Sequence, residues 1–188
     1  MAEMTSTTDW RSGMTVELDG VPMLVVESAH VKPGKGPAFV RAKLKNLQSG
    51  AIFERTFRAG EKIPAATVER RDMQYLYEAD GVYHLMDMET FDQVAVPAAV
   101  IGEQRRFLRE NMTLVVTLYR SAIIDVELPT TIEAEVVETE PGVKGDTVSN
   151  TTKPAVIDTG ATVQVPLFIE RGERIRVDTR TGEYVSRA

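Results

Sequence analysis

Apolar residues recur along this chain in short runs of period two, each closed by turn residues. Valine, isoleucine, leucine and threonine concentrate at 15–18, 23–27, 38–47, 52–57, 75–78, 83–88, 114–119, 123–127, 132–139, 162–166 and 174–178, which predicts a strand at each. Asp19-Gly20, Ser49-Gly50, Asp80-Gly81, Pro141-Gly142, Thr159-Gly160, Arg171-Gly172 and Thr181-Gly182 supply reversals between them. Such regular spacing predicts an all-β chain of barrels or sandwiches. One short helix is predicted over 97–110, with Pro97 near its start and Asn111 near its end. A proline follows an apolar residue at Pro64 and at Pro129, and the charge balance shifts there. Three units are therefore predicted, 1–64, 65–128 and 129–188. Units that small are marginal alone and should share interfaces.

Alternation within 38–47 separates two faces. Val40, Ala42 and Leu44 fall on one, and Phe39, Arg41, Lys43 and Lys45 on the other. This strand follows a loop in which Lys35 is boxed by Gly34 and Gly36, then by Pro33 and Pro37. Glycine permits a tight reversal, and proline locks φ and removes a donor. The predicted result is a stiff stalk with one ammonium group at its tip, suited to an anion or a reaction centre. An ordinary hairpin turn with a solvated lysine would have the same sequence.

Charge distribution strengthens the first alternative. The chain carries a net −6. Residues 1–64 nevertheless hold nine basic and seven acidic side chains, and residues 28–53 hold no acid at all. Lys32, Lys35, Arg41, Lys43 and Lys45 lie in that acid-free stretch. Phosphate contact there is physically reasonable, while the acidic remainder would be repelled by random RNA. A solvated strand face fits equally well.

Catalytic chemistry is hard to assemble from this sequence. Cysteine is absent, so there is neither a disulfide framework nor a thiolate metal site. The two histidines, His30 and His84, fall in separate predicted units with no neighbour at ligand spacing. No nucleophile elbow, phosphate-binding loop or zinc-protease motif occurs. No cofactor, metal or enzymatic activity is expected. The glutamates of 133–140 alternate with Ala134 and Val136, as on a solvated strand face. The longest apolar run, 94–101, is far short of the roughly 20 residues that span a bilayer, so no membrane role is expected. The polar N-terminus lacks a signal-peptide core, and a cytoplasmic location is expected. A long polar segment, 140–154, is predicted as a loop; Gly145, Asp146 and Thr147 there could hydrogen-bond to bases.

Taken together, several motifs resemble bacterial elongation factor P across residues 8–188. They are the 32–36 loop with Ala38 and Phe39, Lys43-Leu44, Thr56-Phe57, 73–77, 88–91 and 141–147. The last unit adds Lys153-Pro154-Ala155, Gly160, Val163, Val165-Pro166, Ile169, Gly172 and the run 177–187. The resemblance implies an L-shaped, tRNA-like outline, with a KOW/SH3-like barrel followed by two OB-folds. It implies a monomer that binds the ribosome between the peptidyl and exit sites and relieves stalling at consecutive prolines. Lys35 would reach the acceptor end of the peptidyl-tRNA, the 145–147 loop would approach the mRNA codon in the exit site, and Tyr184 and Arg187 would lie near the small subunit. Some family members extend this lysine with β-lysine and others carry a modified arginine. The prolines flanking residues 34–36 here resemble members whose lysine works unmodified, which is the expectation for Lys35. Proline is a hindered nucleophile, so restoring alignment would speed its reaction by positioning alone.

Three rivals remain at this point. A general single-stranded RNA-binding OB protein usually offers aromatic platforms in a basic groove, whereas aromatics here are 6% and the later units are acidic. An enzyme acting on nucleotides or tRNA lacks its catalytic constellation. A divergent paralogue with the same shape would serve a different stalled substrate.

Overall fold

The computed structural model describes residues 2–142 and 151–188. The segment with Gly145, Asp146 and Thr147 lies outside the described residues. The described chain is nearly all strand and divides into two compact units, residues 1–71 with 116–125, and residues 72–115 with 126–188.

In the first unit, β1 (Met4–Ser6) precedes a 3-10 turn and β2 (Thr15–Leu18). Then follow β3 (Val21–Val31), β4 (Phe39–Asn46), β5 (Ile52–Arg58) and β6 (Lys62–Pro64). β2-β3-β4-β5 form one antiparallel sheet, and β1 pairs with β6. Trp10, Val16, Val25, Leu44, Phe57 and Ile63 pack the core, with the Trp10 ring edge-on to Phe57 at 4.9 Å. Fully burying one such side chain contributes roughly 1.5–3 kcal/mol.

β7 (Val68–Ala79), β8 (Val82–Asp87) and β9 (Gln93–Pro97) continue the chain. With β10 (Thr113–Tyr119) and β11 (Ala122–Glu127) they make a sheet in the order β11-β10-β7-β8-β9. The predicted helix is shorter and mixed. One α-turn covers Ala98–Ile101 and a 3-10 stretch covers Gly102–Phe107, so 108–110 are not helical. Gly102 at φ +73° breaks the α-geometry, and the tighter 3-10 turns bury Phe107 completely. His84 is half-buried on β8 and stacks on the ring of Tyr77 at 4.4 Å.

The last stretch forms β12 (Thr131–Thr139), β13 (Thr152–Ile157), β14 (Thr162–Pro166), β15 (Arg174–Asp178) and β16 (Tyr184–Arg187), in the order β14-β13-β12-β15-β16. β13 corrects the loop predicted over 140–154, whose final residues are strand. Pro154 is tolerated there because its carbonyl points to the β12 side and accepts the Thr139 hydroxyl at 3.0 Å. The β12 ladder has already ended at the Thr139–Ala155 pair, so the donor that proline lacks has no partner to lose. The exposed glutamates of β12 bear out the alternation, although Glu133 also pairs with Arg174 and Arg176. Gly142 packs so closely on the Leu167 carbonyl that a Cβ would sit 2.2 Å from its oxygen.

Candidate functional site

The β3–β4 hairpin builds the first candidate site. Its last paired residues are Val31 and Phe39, so residues 32–38 stand beyond the ladder. Lys32, Gly34, Lys35, Gly36 and Pro37 are exposed, and Pro33 is half-buried. Gly36 adopts φ +109°, a conformation that L side chains rarely take, and the Pro33 ring lies 4.0 Å from where its Cβ would be. The two glycines therefore differ: Gly34 needs neither a positive φ nor the room, and a Cβ there would meet nothing. Lys35 makes no hydrogen bond or ion pair among the described residues. A shallow groove of about 700 Å³ runs beside the loop base, lined by Pro37, Ala38, Phe39 and residues 56–59, including Arg58.

The basic stripe exists, but acids temper it. Val40, Ala42 and Leu44 are buried, and Arg41 and Lys43 on the opposite face are exposed, as the alternation predicts. Arg41 Nε lies 3.5 Å from Glu54, and Lys43 stands opposite Glu27 on β3 and Glu54 on β5. Lys45 lies opposite Leu24 and Ile52. The sequence hid this pairing because Glu27 and Glu54 bracket the acid-free stretch from outside, and only the register brings them back. Uncompensated charge is thus concentrated on Lys32, Lys35 and Lys45.

Tyr184 and Arg187 are three apart, which in a regular strand would put them on opposite faces. A bulge in β16 changes that: Tyr184 pairs with Val177 and Arg187 with Ile175, both core-facing positions. The two side chains therefore share a face. Arg187 is held by Glu173 at 3.1 Å and lies 4.7 Å over the exposed ring of Phe168. Phe168 is a neighbour that strand patterning could not reveal, since it lies outside any strand.

No cluster of three or more metal-ligating side chains occurs among the described residues. No described helix is long and apolar enough to cross a membrane. The fold and the site define a chain of small antiparallel β-domains that presents a lysine on a paired stalk.

Three domain families match in sequence: the elongation factor P KOW-like domain at 6–63, its OB domain at 68–126 and its C-terminal domain at 132–187. Elongation factor P of Desulforudis audaxviator is 55% identical over 185 residues, covering 98% of this chain and all of that protein. Elongation factor P of Synechococcus sp. strain JA-2-3B'a(2-13) is 56% identical over 184 residues, with 98% and full coverage. The chain belongs to the elongation factor P family, and its fold is all-β with KOW-like and OB domains. Among solved structures, translation initiation factor 5A from Methanococcus jannaschii aligns with a TM-score of 0.51 at 22% identity, covering 66% of this chain and 96% of that one. An initiation factor 5A family protein from Naegleria fowleri aligns at 0.55 and 16% identity, covering 68% and 99%. At those identities the likeness concerns the fold alone.

Proposed function

We propose that this protein is a cytoplasmic, monomeric translation elongation factor that binds the ribosome between the peptidyl and exit sites. There it promotes peptide-bond formation at consecutive prolines by positioning the peptidyl-tRNA. The observation that carries the reading is Lys35, exposed and unbonded among the described residues, on a loop held by two long paired strands. Such a group supplies charge and placement and leaves the chemistry to the ribosome. Relatives named elongation factor P support the translational role.

In this reading the domains are 1–64, 65–128 and 129–188, boundaries to which the three matched stretches lie close. Lys32, Arg41, Lys43 and Lys45 line the RNA side of the first domain. Gly145, Asp146 and Thr147 approach the exit-site codon, and Tyr184 and Arg187 face the small subunit. Lys35 works unmodified, with Pro33 and Pro37 supplying the stiffness. The test is ribosome co-sedimentation with synthesis of a Pro-Pro-Pro reporter, alongside the intact mass of the native protein. Binding, rescue and an unadorned mass are expected. A factor that neither binds ribosomes nor speeds the reporter overturns the reading, and a mass increment on Lys35 overturns the unmodified lysine.

A further inference from the structure

We propose that the β10–β11 hairpin tip clamps the barrel that carries Lys35, with Glu17 as the positioning residue. The inference rests on the reading above, in which Lys35 acts through where it is held. Glu17 lies on β2 between core residues Val16 and Leu18, and its side chain is 17% exposed. Opposite it in register is Pro22 on β3, the strand that runs up to the lysine loop. Two neighbouring residues of a distant hairpin converge on this one carboxylate. The Tyr119 hydroxyl donates to Oε2. Arg120 Nη2 donates to both oxygens, at 3.0 Å to Oε1 and 2.9 Å to Oε2, while its guanidinium covers the Tyr119 ring at 5.2 Å.

The turn is the second observation. Arg120 and Ser121 have φ +50° and +65°, values at which asparagine and glycine are the favoured pair. The chain keeps two strained residues at this tip, and the first of them makes the contact with Glu17. Strain retained at a contact points to a purpose for the contact. Residues 116–125 also belong to the same compact unit as the barrel, although the matched OB domain runs from 68 to 126. The hairpin tip is thus grouped with the barrel across a domain boundary, and the Glu17 carboxylate is its polar anchor there.

The full chain has no cysteine, so two introduced ones label cleanly. Gln48→Cys and Ala122→Cys, both at exposed positions, carry spin labels on the barrel and the hairpin. A single narrow distance distribution is expected in this background. With Glu17→Ala, or with Arg120→Ala at an exposed turn position that cannot unfold the barrel, its width should at least double. In unlabelled chains the same substitutions should lower the maximal rate of Pro-Pro-Pro synthesis several-fold. The half-saturating factor concentration should change less than twofold. The reversed pair Glu17→Arg with Arg120→Glu should restore part of both. Distributions as narrow as in the parent overturn the clamp, and broad distributions with full rescue overturn its positioning role. Failure of the functional reading is seen separately, as parent protein that gives no rescue at all.

Discussion

Two hairpins of this molecule place a cation at the tip and use it in opposite ways. The β3–β4 hairpin ends in a seven-residue loop whose Lys35 is exposed and makes no bond among the described residues. The β10–β11 hairpin ends in a two-residue turn whose Arg120 is committed to Glu17. The first tip obtains its shape from residues suited to it, a positive-φ glycine and two prolines. The second forces L side chains into positive φ, at roughly 1–2 kcal/mol per residue. Under the proposed function, the tip meant for another molecule is shaped by backbone chemistry and makes no bond among the described residues, whereas the tip that holds its own chain is defined by what it touches.

The largest effects separate tip from stem on the β3–β4 hairpin. Lys35→Ala removes an exposed side chain that makes no hydrogen bond or ion pair among the described residues, so the unfolding free energy should change by no more than about 0.5 kcal/mol. Rescue of the Pro-Pro-Pro reporter should be abolished. Leu44→Ala, in the same strand pair, empties a fully buried position and should cost about 2–5 kcal/mol by denaturant unfolding. Reporter rescue should fall only with the folded fraction. If Lys35→Ala rescues normally, the contrast between the two tips has no functional content.

Pro37→Gly asks whether stiffness matters at the exposed tip. The freed backbone must be ordered when the loop meets its target, which costs about 1 kcal/mol. Rescue should weaken by about five-fold with thermal stability nearly unchanged. An unaffected rescue curve would show that the loop needs only its lysine.

Most strands were legible because burial follows a period of two. Thr15–Leu18, Thr162–Pro166 and Arg174–Asp178 have the predicted bounds. What escaped prediction was structure decided by partners. Met4–Ser6 and Lys62–Pro64 are three residues each and exist through pairing with one another. β7 begins seven residues before its apolar run, along the charged stretch from Glu69 to Asp72. β13 was hidden by Pro154, whose missing donor costs nothing only because the neighbouring strand has ended. In the candidate site, the positive-φ turn at Gly36 could be read from local chemistry, although Gly34 needs no such freedom. The screening of Arg41 and Lys43 could not, because Glu27 and Glu54 become neighbours only through strand register.

Glycine and serine substitutions test the two tips at about 1 kcal/mol. Gly36→Ala puts a side chain at φ +109° and should destabilise by roughly 1–2 kcal/mol, whereas Gly34→Ala, at an open position without positive φ, should be nearly neutral. Ser121→Gly keeps Arg120 on Glu17 while relieving the strain at φ +65°. It should stabilise by up to about 1 kcal/mol, the relief being offset in part by added freedom of the unfolded chain. Thermal unfolding of the three variants would show whether the signs differ. A destabilised Ser121→Gly would mean that the serine is held by something other than turn geometry.

The smallest effect is a difference in alkaline titration. Burial, and then the bond to Glu17, raise the Tyr119 phenol above its ordinary value. The folded state therefore binds this proton more tightly than the unfolded chain does. The stability it contributes is complete below the unfolded tyrosine value, near pH 10, and is lost as pH rises through the higher folded value. Burial raises the Tyr75 phenol too, so tyrosinate absorbance should show two late-titrating phenols, of which Tyr119→Phe removes one. The stability gap between parent and Tyr119→Phe should narrow above about pH 10. The Lys35 loop has no comparable bond to lose, and Lys35→Ala measured in parallel should show no such narrowing. If the phenol that Tyr119→Phe removes titrates with the ordinary tyrosines, the hydroxyl is neither buried nor bonded to Glu17 in solution, and the contrast between a committed and an uncommitted tip must rest on Arg120 alone.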